Sequence, residues 1–155
     1  MRTWMALAAG AALVAMPMGE VSAQEDEVMA TIEQVFEGMR TANPDLVRAV
    51  FAADARFAVL DTRNGPATVR AQSVDGWIGA IGSSEGKWDE QIYDVEIKVD
   101  GAMASAWTPY TFYLDGEISH CGINSIELLR DADGWKVTQL SDTRRRENCP
   151  DPHGS

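Results

Sequence analysis

AMASAWTPYTFYLDGEISHCGINSIELLRDADGWKVTQLSD, residues 102–142, reads as three strands joined by two tight turns. Asp115-Gly116 and Asp133-Gly134 each stand between runs of β-branched and aromatic residues, the arrangement that most strongly marks a short hairpin. Two linked hairpins make an antiparallel meander. Alternate side chains of a strand point to opposite faces. Ala106, Thr108, Tyr110 and Phe112 therefore share one face, and Trp107, Thr111 and Tyr113 the other. In the next strand Ile118, His120, Gly122, Asn124 and Ile126 share a face, and Asp142 closes the third. Apolar walls with a few polar groups among them are the composition of a small-molecule pocket.

Working outward, Gln91 to Val99 alternates as a half-buried strand, and Asp100-Gly101 turns it into the meander. Pro109 has no N–H to give a ladder and calls for a bulge or an edge. Helices come earlier. Val28, Ile32, Val35, Phe36 and Met39 recur at helical spacing behind Glu25-Asp26-Glu27, whose charges suit a helix N-terminus. Asn43-Pro44 ends that helix and opens another, with Leu46, Val47, Val50 and Phe51 on one face. Arg56 to Leu60 reads as a short strand, followed by a turn at Arg63-Asn64-Gly65-Pro66. Ser73 is placed to cap a third helix, Val74 to Ile81. Three helices packed on one face of a curved sheet make an α+β fold.

This order of elements, with WTPYTFYLDGEISHCGINSIELL and then GWKVTQLSD, resembles the nuclear transport factor 2-like superfamily, and more narrowly its secreted SnoaL-like proteins. The resemblance covers residues 25–146. It implies a cystatin-like cone, in which a bent antiparallel sheet wraps about three N-terminal helices and leaves an apolar cavity open at one end. It also implies a homodimer formed through the outer face of the sheet. Members of the superfamily include isomerases, cyclases, dehydratases and domains that only bind or dimerise, so the fold leaves the reaction open.

Composition narrows the setting. Arg2, the uncharged run Trp4 to Met16, the break at Pro17 and Gly19, and Val21-Ser22-Ala23 have the form of a secretory signal cleaved after Ala23. Residues 1–23 are thus expected to be a signal peptide, 24–146 the domain and 147–155 a tail, with the product periplasmic or secreted. The apolar run is short for a bilayer span, so no stable membrane anchor is expected. A net charge of −11 repels phosphate backbones and makes nucleic acid a poor partner. Arg144-Arg145-Arg146 beside Glu147 reads as a solvated tail. Cys121 and Cys149 are an even pair, and in an oxidising compartment they are expected to form a disulfide. A nucleophilic Cys121 activated by His120 is disfavoured, because adjacent strand residues face opposite ways.

The partner expected for the pocket is a small apolar or aromatic molecule, held by Trp77, Trp107, Tyr110, Phe112, His120 and Asn124. If the pocket is catalytic, His120 moves a proton, Asp142 orients it, and Tyr110 and Asn124 donate hydrogen bonds to a developing oxyanion. Asp142, before Thr143 and Arg144, reads slightly better as a cap or a salt bridge to the tail than as a catalytic group, and Asp61 with Arg63 reads as surface. With His120 and His153 the only histidines, a zinc site is not expected. No phosphate-binding glycine loop or nucleophile elbow is present, and no cofactor is expected. Three roles stay open: a binding protein, a cofactor-free isomerase, cyclase or dehydratase, and a structural dimerisation domain.

Overall fold

Residues 18–152 are described by the computed structural model. The apolar run from Trp4 to Met16 and His153 lie outside them. α1 (Met18–Arg40) turns Val28, Ile32, Val35, Phe36 and Met39 into one buried stripe. It continues N-terminally through residues 21–23, further than the acidic Glu25-Asp26-Glu27 start implies. α2 (Pro44–Val50) follows at once, with the Asn43 side chain accepting from the Asp45 N–H and Pro44 at the first position. The two helices touch at Gly38, where a Cβ would lie 2.5 Å from Val47 Cγ2. α3 (Val74–Ser83) is capped by Ser73, whose Oγ accepts from the Gly76 N–H at 3.0 Å.

Among the described residues, seven strands form one sheet: β1 (Phe51–Asp61), β2 (Thr68–Gln72), β3 (Trp88–Ile92), β4 (Glu96–Asp100), β5 (Met103–Leu114), β6 (Glu117–Asp131) and β7 (Gly134–Arg144). Their order is β2-β1-β7-β6-β5-β3, with β4 also on β5. Helices packed on one face of a curved, open sheet give the α+β class expected. The sheet is mixed, however, rather than wholly antiparallel. β1 and β7 run parallel, Val59 opposite Asp142 and Asp61 opposite Arg144. The chain can make that crossover because all the intervening elements lie between these two strands in sequence.

Two further departures shape the cavity. The segment read as one strand from Gln91 to Val99 is two, broken at Asp94, which takes a φ of 46°. β3 and β4 share one edge of β5, pairing with its C-terminal and N-terminal halves respectively. Pro109 falls in the gap between them. Its carbonyl accepts from the Tyr93 N–H, so its nitrogen faces the same interrupted edge, where no ladder bond is lost. The short strand β2, paired with β1, was not evident from the turn-rich sequence around it.

The tail folds back on the outer face. Cys149 is bonded to Cys121, the Thr111 hydroxyl donates to the Pro150 carbonyl, and the Tyr113 hydroxyl to the Asp151 carboxylate. This explains why Thr111 and Tyr113 are buried on a face where Trp107 is half exposed. Among the described residues, no helix is long and apolar enough to cross a membrane.

Candidate functional site

Between the helices and the concave face of the sheet lies a cavity of about 440 Å³. That is a volume suited to a small organic molecule. Its walls are apolar: Val35, Phe36 and Met39 from α1, Trp77 from α3, and Phe57, Ile126 and Leu140 from the sheet. The mouth is where exposed residues join the lining, at Ser73 and Gly76 on one side and Leu114 on the other.

Charged and hydrogen-bonding groups interrupt these walls, among them Glu90, Asn124, Asp142, Arg144, Arg63, Ser119 and His120. Glu90 enters because β3 stops before Asp94, which puts Trp88, Glu90 and Ile92 on the inner face. Its carboxylate accepts from Asn124 Nδ2 at 2.8 Å. Removal from water pushes the Glu90 carboxyl up to about 7, with Asp142 adding to the effect and the Asn124 hydrogen bond and Arg144 opposing it. Asp142 is met by Arg144, whose Nε and Nη2 donate at 3.0 and 2.7 Å. Burial raises the Asp142 carboxyl, and the same guanidinium opposes that rise.

A local rearrangement of β7 accompanies this geometry. Opposite Gly122, the Thr143 carbonyl turns inward and accepts from the Tyr110 hydroxyl at 2.9 Å, while Thr143 Oγ1 replaces it as acceptor for the Ile123 N–H. The Thr143 oxygen comes so close to Gly122 that a Cβ there would lie 1.7 Å from it. Gly122 thus admits a backbone carbonyl rather than opening space for a ligand. Arg144, the next residue, reaches the cavity instead of joining a solvated tail.

The residues expected at the site divide accordingly. Trp77, Phe112, His120, Asn124 and Asp142 line the cavity. Phe112 lies against the His120 ring at 4.9 Å between centroids. Trp107 does not line it: strand alternation puts it on the outer face, in a shallow hollow with Leu60, Val69 and Ile123. Tyr110 is buried beneath the lining, its hydroxyl committed to Thr143, and burial pushes that hydroxyl far above its ordinary range.

The expected pairing of His120 with Asp142 is not formed. Asn124 is the residue opposite Asp142, and His120 lies four residues further along β6. At strand spacing this is about 13 Å. His120 Nδ1 lies 3.2 Å from Ser119 Oγ, and a bulge beside Phe112 brings both of these adjacent residues to the cavity, in place of Ile118. Burial first, then Arg144 and Arg63, lowers His120 to about 3, so the imidazole is neutral near pH 7. Glu90, Arg144 and Arg63 were missed in the sequence. The signals were inner-face parity with Trp88 and Ile92 for Glu90, and with Leu140 and Asp142 for Arg144.

A family model described as the SnoaL-like domain matches residues 20–141. Comparison with curated proteins gave no match. Among solved structures, a Mycobacterium tuberculosis protein of unknown function is similar at 15% identity and a TM-score of 0.70, over 90% of this chain and 82% of its own. A nuclear transport factor 2-like protein of unknown function from Shewanella baltica aligns at 14% identity and a TM-score of 0.61, over 81% and 97%. A candidate scytalone dehydratase from Novosphingobium aromaticivorans aligns at 10% identity and a TM-score of 0.65, over 89% and 99%. At these identities the likeness shows the fold alone.

Proposed function

The chain belongs to the SnoaL-like domain family, and from that premise we propose that it is an exported protein whose cavity binds a small, largely apolar or aromatic molecule. The observation that carries this reading is a cavity of about 440 Å³ with largely apolar walls and a limited set of polar groups among them. Such a lining buries a ligand's body by the hydrophobic effect and orients it through few hydrogen bonds. Native mass spectrometry of the mature chain, recovered from an oxidising compartment, tests it. An adduct of small-molecule mass is the expected result. A clean apo mass, together with no binding of the apolar fluorophore N-phenyl-1-naphthylamine, would sink the proposal.

A second reading, cofactor-free acid–base catalysis, is favoured by Glu90. A carboxyl near 7 beside a hydrogen-bonding amide both accepts and returns a proton at neutral pH, whereas the lowered His120 does neither. The likeness to a candidate dehydratase is consistent with this. Turnover of an identified ligand that survives Glu90→Gln would refute Glu90 as the acid–base group, and a ligand that is bound but never turned over would refute the reading.

Export after Ala23 is supported by the signal-like N-terminus and by the Cys121–Cys149 bridge. N-terminal sequencing of secreted protein checks the cleavage. Pairing of two copies through the outer face is supported by exposed Trp107 and Val69. Sedimentation of Trp107→Glu should then show a monomer where the unsubstituted protein is a dimer.

A further inference from the structure

The tripeptide Asp-Thr-Arg occurs twice, at residues 61–63 and 142–144, and the fold lays the two copies side by side. They end the parallel strands β1 and β7, with Asp61 opposite Arg144. The Thr62 N–H and hydroxyl both donate to the Arg144 carbonyl at 2.9 Å. In each copy the aspartate grips the arginine two residues on through the same two groups. Arg63 gives Nε and Nη2 to Asp61 at 2.9 and 2.6 Å, as Arg144 does to Asp142. Among the described residues, neither Nη1 group has a protein partner. Both arginines line the cavity, beside Ser119 and His120.

From this arrangement we infer that the cavity's ligand is an amphipathic anion, an apolar body carrying one carboxylate or sulfonate-like head, with the head received by the Nη1 groups of Arg63 and Arg144. The inference rests on the binding function proposed above and specifies its ligand class.

Three physical points support it. A guanidinium already clamped by a carboxylate has lost its side-chain freedom before the ligand arrives, so little further ordering is needed to bind an anion. Each Asp–Arg pair is neutral overall, but it is a dipole whose positive end is the guanidinium. Two such dipoles beside apolar walls act in a medium that screens them poorly. His120 senses both guanidinium groups, since Arg144 and Arg63 add to its lowering and Asp61 opposes them.

The wider charge distribution agrees. In a chain with 24 acidic and 13 basic residues, Arg63, Arg70, Arg144, Arg145 and Arg146 all fall at this end of β1, β2 and β7. Arg146 is tied to the β1–β2 turn through Asn64. Of these, Arg63 and Arg144 line the cavity, and a local cluster of basic residues on an otherwise acidic protein favours the approach of anions at that end.

Two fluorophores with one skeleton test the inference: 8-anilinonaphthalene-1-sulfonate and the uncharged N-phenyl-1-naphthylamine. At pH 6 the sulfonate should bind the full mature protein at least about tenfold more tightly, the discrimination of one good charge-assisted hydrogen bond. The neutral probe is the more apolar, so burial alone predicts the opposite order. Arg63→Gln and Arg144→Gln should each remove the preference for the sulfonate over the neutral probe. Arg144→Lys should keep part of it. Equal or reversed affinity of the two probes for the unsubstituted protein would overturn the anionic head while leaving the binding cavity standing. A sulfonate preference unchanged in both glutamine variants would place the head elsewhere and overturn the subsite. Binding of neither probe would overturn the cavity function and this inference together.

Discussion

Glu90→Gln separates the electrostatic cost of the cavity from its packing. The Glu90 carboxyl rises from 4.5 in the unfolded chain to about 7 in the folded protein, chiefly through burial. A raised carboxylic acid costs no stability below pH 4.5, where it is protonated in both states. The cost grows between pH 4.5 and about 7 and is complete above that, because the folded state must then hold a charge it has desolvated. At 1.36 kcal/mol for each pH unit of displacement, the full cost is about 3 kcal/mol. The substituted amide keeps the shape and still accepts from Asn124 Nδ2, but it carries no charge at any pH. The variant should therefore be about 3 kcal/mol more stable than the unsubstituted protein at pH 8, and within about 1 kcal/mol of it at pH 5. Urea unfolding followed by tryptophan fluorescence at pH 5, 6, 7 and 8, with the disulfide intact, measures both. The comparison cancels the titration of carboxylates remote from Glu90 and common to the two proteins. A stability difference that does not change with pH would refute the argument, since it would mean that Glu90 titrates alike in the folded and unfolded chain.

Asn124→Ala removes a hydrogen bond that holds the Glu90 carboxylate down, so the pH at which stability is lost should move upward in the same urea series. Gly122→Ala drives a Cβ into the Thr143 carbonyl, and the loss should reach or exceed the upper end of the ~1–3 kcal/mol typical of overpacking. Thermal unfolding checks it, and binding should weaken too, because Arg144 follows Thr143. Replacing both Cys121 and Cys149 by alanine releases a closure of sequence separation 28. The chain-entropy account gives a loss of about 3–4 kcal/mol, readable as a lower urea midpoint.

The sequence by itself determined most of the elements and part of the cavity wall. Helical spacing placed Val28, Ile32, Val35, Phe36 and Met39 in the core, Ser73 and Asn43 announced helix starts, and the Asp-Gly turns set out the hairpins. These are local signals, in which a residue and its near neighbours fix the backbone. Alternation along single strands likewise brought Phe112, His120 and Asn124 to the cavity. It also put Trp107 outside, and that parity outweighs the suitability of an indole for a pocket.

Only the tertiary structure decided which polar groups meet. His120 and Asp142 share a face but are offset along the sheet, and no pattern within either strand reveals the register between β6 and β7. Glu90 was hidden because a single residue at positive φ, Asp94, resets the alternation, and a one-residue slip moves every side chain to the other face. Arg144 looked like the start of a basic tail until the parallel pairing of β1 with β7 held its backbone at Thr62 and the turned Thr143 peptide carried it inward. Those contacts join residues 82 and 33 positions apart in the chain and depend on packing that no local segment specifies.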